Sequence, residues 1–181
     1  EITTDLVLMV DARQTLELDA LKMLSAWFAD EKVGLVSGEL CFRSEDENGF
    51  SQGMDAYWRY EKAIRRAEAS LASVPGVTGA IYLMRTAAFE PIPADTLIDD
   101  VLIPMNAIKA GYRVGFDDRA VAWDIPSTDS ANEKRRKIRT ITGNYQLLTR
   151  HPLWCLPGGH PIWWQYLSHK MLRLAVPFLG I

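Results

Sequence analysis

Leu6-Val7-Leu8-Met9-Val10-Asp11 is a continuous apolar run closed by a carboxylate. Such a run suits a strand buried on both faces, as in a parallel sheet. Beyond it, Leu21, Leu24 and Phe28 recur at helical spacing and predict an amphipathic helix over roughly 16–30. Val33 to Phe42 reads as the next strand, and Arg43 to Ser51 as a polar loop. A longer helix follows from Met54 to Ser73, with Tyr57, Ile64 and Leu71 on one face, and Pro75-Gly76 ends it. Val77 to Met84, which contains Gly79-Ala80, reads as a strand. A helix over Asp100 to Ala110 stops at Gly111, a favourable C-terminal cap. Pro104 sets its start at Asp99 or Asp100, because proline is tolerated in a first turn. Tyr112 to Phe116 and Ala120 to Trp123 read as short strands around an Asp117-Asp118 turn, and a basic helix runs from Asn132 to Leu148. Strands alternating with helices imply an α/β fold.

At 181 residues the chain is one domain, or one domain plus a tail. Hydrophobic residues at 48% and charged residues at 24% exclude a disordered chain, a collagen-like repeat and a coiled coil. Cys41 and Cys155 form no CxxC pair, which suits a reducing compartment. His151, His160 and His169 lack zinc-type spacing, and none is a catalytic candidate. The net charge of −3 hides an asymmetry: residues 131–181 carry eight Lys or Arg against Glu133 alone. A basic segment on an acidic body points to a phosphate-bearing ligand, an acidic lipid surface or nucleic acid, or else to a solvated helix face. The opening residues lack a methionine and a basic leader, so the chain reads as a piece of something longer. No run of about 20 apolar residues occurs, so nothing here spans a bilayer by itself. Met171 to Ile181 is nevertheless apolar except for Arg173.

Three features combine. Asp11 ends a strand, where ligands of open α/β sheets bind. Asp99 and Asp100 open a helix, where free backbone N–H groups hold carboxylates. Arg136 and Arg139 share one face of a basic helix with Gly143. A nucleotide-sugar transferase needs such parts: a carboxylate for metal and sugar diphosphate, a second to deprotonate the acceptor hydroxyl, and cations for the leaving diphosphate.

The order of these stretches resembles glycosyltransferase family 2, in its membrane-bound branch with the hyaluronan, chitin and cellulose synthases. Val10-Asp11-Ala12-Arg13-Gln14 matches the position of the family's DxD motif. Val33 to Leu40 looks like the strand after it. Tyr57-Trp58-Arg59-Tyr60-Glu61 and Thr78-Gly79-Ala80-Ile81-Tyr82 look like the central helix and the sugar-pocket strand. Ile98-Asp99-Asp100-Val101-Leu102 with Gly111-Tyr112-Arg113-Val114 matches the block that holds the catalytic base. Arg136-Lys137-Ile138-Arg139-Thr140 falls where the family has QxxRW, and Ser168 to Arg173 resembles the entry to its membrane helices. The resemblance implies a GT-A fold, a doubly wound, mostly parallel sheet whose nucleotide-gripping first half precedes Glu1. Residues 1–150 would be the second half of that domain. Residues 151–181 would be an aromatic and basic membrane-interface segment leading to a transmembrane helix outside the chain.

By resemblance, Asp100 is the general base and Asp99 supports it. Asp11, Arg13, Gly79, Ala80, Asp99, Arg136 and Arg139 meet the donor and its diphosphate. Asp11 is also the candidate ligand for Mg²⁺ or Mn²⁺, although Arg13 replaces the second Asp of DxD and a guanidinium repels a dication while suiting phosphate. Arg136 replaces the Gln of QxxRW and Thr140 its Trp, which weakens a processive reading. The implied reaction is inverting transfer from a nucleotide sugar, most commonly a UDP-sugar, to a glycan or lipid-linked acceptor. The implied setting is the cytoplasmic face of a bacterial inner membrane, with lipids as partners and no nucleic acid. The isolated piece is expected to be inactive.

Residue by residue, plainer readings stand beside these. Asp100 can be a helix cap, Asp11 a solvent-facing strand end, and the arginines a solvated face or a contact for anionic lipid. Gly79 can mark a bulge, and 151–181 a tail packed on the domain. Tyr57, Trp58 and Tyr60 read as core rather than sugar platforms, and Glu61 has no partner legible in sequence. The rival function is a non-catalytic scaffold or binding module of a polysaccharide system.

Overall fold

The computed structural model describes residues 3–42, 51–125 and 130–174, with backbone alone for 51–57 and 130. The predicted loop 43–50, the Tyr57 side chain and the apolar end at 175–181 lie outside the described residues or side chains. Five strands form one sheet in the order β1-β4-β3-β5-β2: β1 is Leu6–Val10, β2 Thr15–Leu16, β3 Val33–Phe42, β4 Ile81–Arg85 and β5 Arg113–Asp124. The helices are α1 (Ala20–Ala26), α2 (Ser51–Leu71), α3 (Asp99–Lys109), α4 (Ser130–Arg150) and the short α5 (Trp163–Gln165), which widens into a π-helical stretch, Tyr166–Met171.

The fold is α/β, as expected, but the sheet is mixed rather than mostly parallel. β3 and β5 run parallel, whereas β1–β4, β3–β4 and β2–β5 are antiparallel. The apolar run Leu6–Val10 could not reveal this, because apolarity reports burial and not the direction of the partner strand. It also overstates burial: β1 pairs only with β4, and Met9 and Val10 are exposed at the sheet's edge.

Alternation along the strands sends side chains to two cores. Val33, Val36, Ile81, Leu83, Ala120 and Ala122 face α1 through Ala20 and Leu24. Leu35, Tyr82, Met84, Val114 and Phe116 face α3 and the chain after residue 151. The result is three layers with the sheet in the middle. Trp154, Ile162, Tyr166 and Met171 belong to this second core, so residues 151–174 are packed on the domain. Leu153, Leu156, Trp164 and Leu172 remain exposed on its outer side. No helix among the described residues is long and apolar enough to cross a membrane.

Three boundaries differ instructively. β5 is one strand whose two halves both run parallel to β3, with a register shift between Ser37 and Glu39 that accommodates residues 117–120. The Asp117-Asp118 hairpin turn is therefore replaced by a bulge. Buried Asp117 accepts from Trp27 Nε1 at 2.9 Å and Arg119 Nη2 at 2.7 Å. At the bulge Gly38 is obligatory, since a Cβ there would stand 2.4 Å from the Ala120 carbonyl oxygen. Gly79-Ala80 forms a turn before β4 rather than part of the strand. In α2, Leu71 is 82% exposed, so the Tyr57/Ile64/Leu71 stripe is not the core face. The buried side carries Glu68 and Ala69 instead.

Candidate active site

Pro104 explains how the site is tied together. It is not in the first turn of α3, which starts at Asp99. Without an N–H, it leaves the Asp100 carbonyl lacking its intrahelical donor. The Val77 N–H donates to that carbonyl instead, at 2.9 Å. The loop 74–80 is thereby pinned across the start of α3. Its other end is held by Ser37, whose Oγ accepts from the Thr78 N–H at 2.9 Å and from Arg65 Nη2 at 2.8 Å.

This loop floors a cavity of about 530 Å³. Every residue singled out in the sequence borders it: Asp11 and Arg13 from the end of β1, Gly79 and Ala80 from the loop, Asp99 and Asp100 from α3, and Arg136 and Arg139 from α4. Residues from four regions of the chain thus converge on one hollow. A Cβ added at Gly79 would meet nothing within 4 Å, so protein packing does not demand the glycine, and the room beside it belongs to the cavity.

Gly143 lets α4 approach. A Cβ at that position would lie 2.6 Å from Ile98 Cγ2 and 3.2 Å from Leu97 Cβ. The close contact brings α4 against the start of α3 and sets Arg139 and Arg136, one and two turns earlier, beside the cavity. We expect Gly143→Ala to cost about 1–3 kcal/mol by overpacking and to weaken anion binding at the cavity. Chemical denaturation together with pyrophosphate titration measures both; unchanged stability and binding would contradict this role for the close contact.

Asp100 is half-buried, and desolvation raises its pKa above the usual carboxylate range. Lys170 and Arg139 oppose the rise, and Asp99 adds to it. A carboxylate with a raised pKa is a better proton acceptor, provided the pH stays above that value. Tyr82, at the cavity wall, is pushed up to about 12 by burial and by the two aspartates, so it stays protonated as a hydroxyl donor.

The sequence did not reveal a group of buried ionisable residues on the opposite wall. Glu61, Arg65 and Glu68 follow one another at i, i+4 and i+7 on α2, a spacing that places them on one face. His169 lies between the two carboxylates, with Nδ1 at 2.9 Å from Glu68 Oε1 and Nε2 at 2.8 Å from Glu61 Oε1. Arg173 Nη2 donates to Glu61 Oε2 at 2.7 Å. Burial alone would lower the His169 pKa, but the hydrogen bonds to Glu61 and Glu68 outweigh it and raise the value. Burial would likewise raise Glu61, yet His169 and Arg173 bring it down to about 2. Lys170, next in sequence, also borders the cavity, and desolvation lowers its pKa while Asp100 raises it. The π-helical stretch Tyr166–Met171 presents both consecutive residues to the cavity, as local π turns at functional sites commonly do. The polar stripe on α2 was a visible clue. His169 and Lys170 carried none, because the partners of His169 lie about 100 residues away and Asp100, which acts on Lys170, lies 70 residues away.

Two aromatic expectations need correction. Trp58 is 38% exposed, borders the cavity and tilts against Phe42 at a 6.1 Å centroid distance. Tyr60 is 62% exposed. Neither is core.

The residues around Asp11 fit a divalent cation poorly. Arg13 stands where a second carboxylate was sought, and its Nη2 lies 3.0 Å from Asp124 Oδ2. Arg136 and Arg139 border the same hollow as Asp11. Among the described residues no group of three or more His, Cys, Asp or Glu is arranged as a ligand set. Hard dications select clustered oxygens, and guanidiniums repel them.

The family model described as "Glycosyl transferase family group 2" matches residues 6–180. The chain belongs to that family. This family 2 glycosyltransferase chain is also similar in fold to the mannosyltransferase PcManGT from Pyrobaculum calidifontis, solved in complex with GDP-Man and Mn²⁺. The match has a TM-score of 0.70 and 19% identity, and covers 97% of this chain and 46% of the other. The chain therefore spans about half the length of that structure. No curated protein sequence matches it.

Proposed function

We propose that the chain is the catalytic side of an inverting, nucleotide-sugar-dependent glycosyltransferase. One observation carries the reading: Asp100, Asp11 and the α4 arginines border a single cavity large enough for a sugar diphosphate. The acceptor hydroxyl attacks the anomeric carbon in line while Asp100 takes its proton. The sugar–phosphate bond breaks on the opposite face, and the nucleoside diphosphate leaves against Arg139 and Arg136. Preorganised cations that meet charge as it develops lower the barrier without reorganisation. Asp99 supports Asp100, and Gly79 and Ala80 flank the sugar.

The donor is a nucleoside diphosphate sugar. UDP-sugars are the commonest choice for the family, and the GDP-Man of the structural neighbour makes GDP-sugars the second set to assay. The acceptor is a glycan or a lipid-linked sugar. Under this reading the part that grips base and ribose lies outside these 181 residues, so the isolated chain is inactive and transfer is assayed in a protein carrying both parts. The exposed Leu153, Leu156, Trp164 and Leu172 support a contact with lipid, which we place at the cytoplasmic face of an inner membrane.

Replacing Arg139 with Ala should lower kcat/KM by roughly 10²–10³-fold, the effect of losing one preorganised charge donor. Steady-state release of nucleoside diphosphate measures it. Wild-type kinetics in this variant would detach α4 from the reaction.

A further inference from the structure

The cavity matches its Lys and Arg side chains with as many carboxylates, and the excess of positive charge lies at its edge. Beside it opens a second hollow, also of about 530 Å³, bordered by Asp11, Ala12, Arg13, Arg135, Arg136 and Arg139. Among the described residues, Arg135, Arg136 and Arg139 are in no ion pair. Arg13 does have a partner, but an anchoring one. Asp124 is only 6% exposed, its Oδ2 meets Arg13 Nη2, and its Oδ1 accepts from the Ile125 N–H at 2.8 Å. A buried carboxylate fixed in this way orients a guanidinium without covering it: the Arg13 side chain stays 54% exposed and borders both hollows. Gln14, next in the chain, borders the first hollow with both its amide oxygen and nitrogen buried and, among the described residues, lacking a hydrogen-bond partner. Such an orphaned amide is costly unless a ligand completes it.

Unpaired guanidiniums around one carboxylate, an anchored arginine and an unsatisfied amide describe a cradle for a polyanion. Planar guanidinium forks match phosphate oxygens in pairs, which a single dication does not. We propose that this chain binds the donor's diphosphate through guanidiniums in place of a divalent cation, with Arg13, anchored by Asp124, occupying the role of the metal. The inference rests on the cavity being the donor site, and deepens that reading.

Inorganic pyrophosphate titrated calorimetrically into the chain in EDTA tests it. Binding is expected without metal, and Arg13→Gln is expected to weaken it at least tenfold. Arg13→Gln lies on an exposed side chain, and a parallel Arg139→Ala variant guards against misfolding of either one. In a second arm Mn²⁺ is titrated alone and followed by loss of the free-ion paramagnetic resonance signal. Wild type should leave the signal intact, whereas Arg13→Asp, which adds a carboxylate two residues from Asp11, should deplete it. Pyrophosphate binding only in the presence of Mn²⁺ would overturn the guanidinium cradle and leave the donor site standing. Binding in EDTA that neither arginine variant weakens would also overturn it. No binding under either condition would sink the cradle and the donor-site reading together.

Discussion

Asp100→Asn should abolish sugar transfer, with a fall of roughly 10²–10⁴-fold or more, the contribution expected of a positioned general base. Asparagine keeps the size and the place at the start of α3, and it still leaves the Asp100 backbone carbonyl to accept from Val77. What it removes is the proton acceptor. Binding of pyrophosphate or of intact donor should therefore change by less than a few-fold, because the arginines of α4 are untouched. The pH profile supplies a second reading of the same residue. Burial raises the Asp100 pKa, so the group is unprotonated, and competent as a base, only above that raised value. Activity should fall on the acid side at a pH above the ordinary aspartate range. Removing Lys170, whose charge favours the ionised carboxylate, should move that limb higher still. Single-turnover transfer across pH, in wild type and Lys170→Met, measures the shift. An acid limb that does not move would show that Lys170 does not act on Asp100.

The second large effect concerns stability. His169→Ala should destabilise the fold by about 3–5 kcal/mol near neutral pH, the usual cost of leaving buried charge without its partner. Glu61 and Glu68 would then face each other across an empty site, Glu61 keeping its hydrogen bond from Arg173 and both left to the charge of Arg65. The pH dependence separates this cause from a simple cavity. His169 has its pKa raised in the folded state, so its contribution is complete below the unfolded value of about 6.5 and is lost as pH rises through the higher folded value. Glu61 works in the opposite sense: its folded pKa is about 2, so its contribution is present above the ordinary glutamate range and is lost as pH falls toward 2. Wild-type stability should thus decline on the alkaline side, and the variant should lack that decline. Its deficit should shrink as pH rises through the folded His169 value, where the wild type loses the same contribution. Denaturant unfolding at several pH values measures both. A deficit that is constant with pH would mean that His169 only fills space.

These two predictions draw on residues of very different visibility. The place of Asp100 at a helix start could be read from the chain because its signals are local, a proline five residues after the helix begins and a glycine at the far end, whereas its role as base is implied by the resemblance alone. The same holds for Arg136, Arg139 and Gly143, whose spacing alone puts them on one helical face. Helix existence followed from periodicity, and the α/β class followed from strands alternating with helices. Strand direction did not. Leu6–Val10 is equally apolar whether its neighbour runs up or down, and β5 looked like two strands because a bulge carries the same Asp-Asp and small residues as a turn. The Glu61–His169–Glu68 group was hidden for another reason. Its members meet only after α2 and the π-helical stretch pack together, and no local pattern encodes that meeting. The replacement of a carboxylate by Arg13 was visible in the chain, but the reason it can stand there, the buried Asp124, was not.

One cavity, bordered by Asp100 and by the α4 arginines, is proposed to receive the sugar diphosphate. A crystal structure with a bound nucleoside diphosphate sugar tests it most directly. The account predicts phosphate oxygens within hydrogen-bonding distance of Arg139 and Arg136, and the anomeric carbon turned toward the Asp100 carboxylate. A donor seated on another face of the molecule, with Asp100 and Arg139 both facing only water, would contradict it.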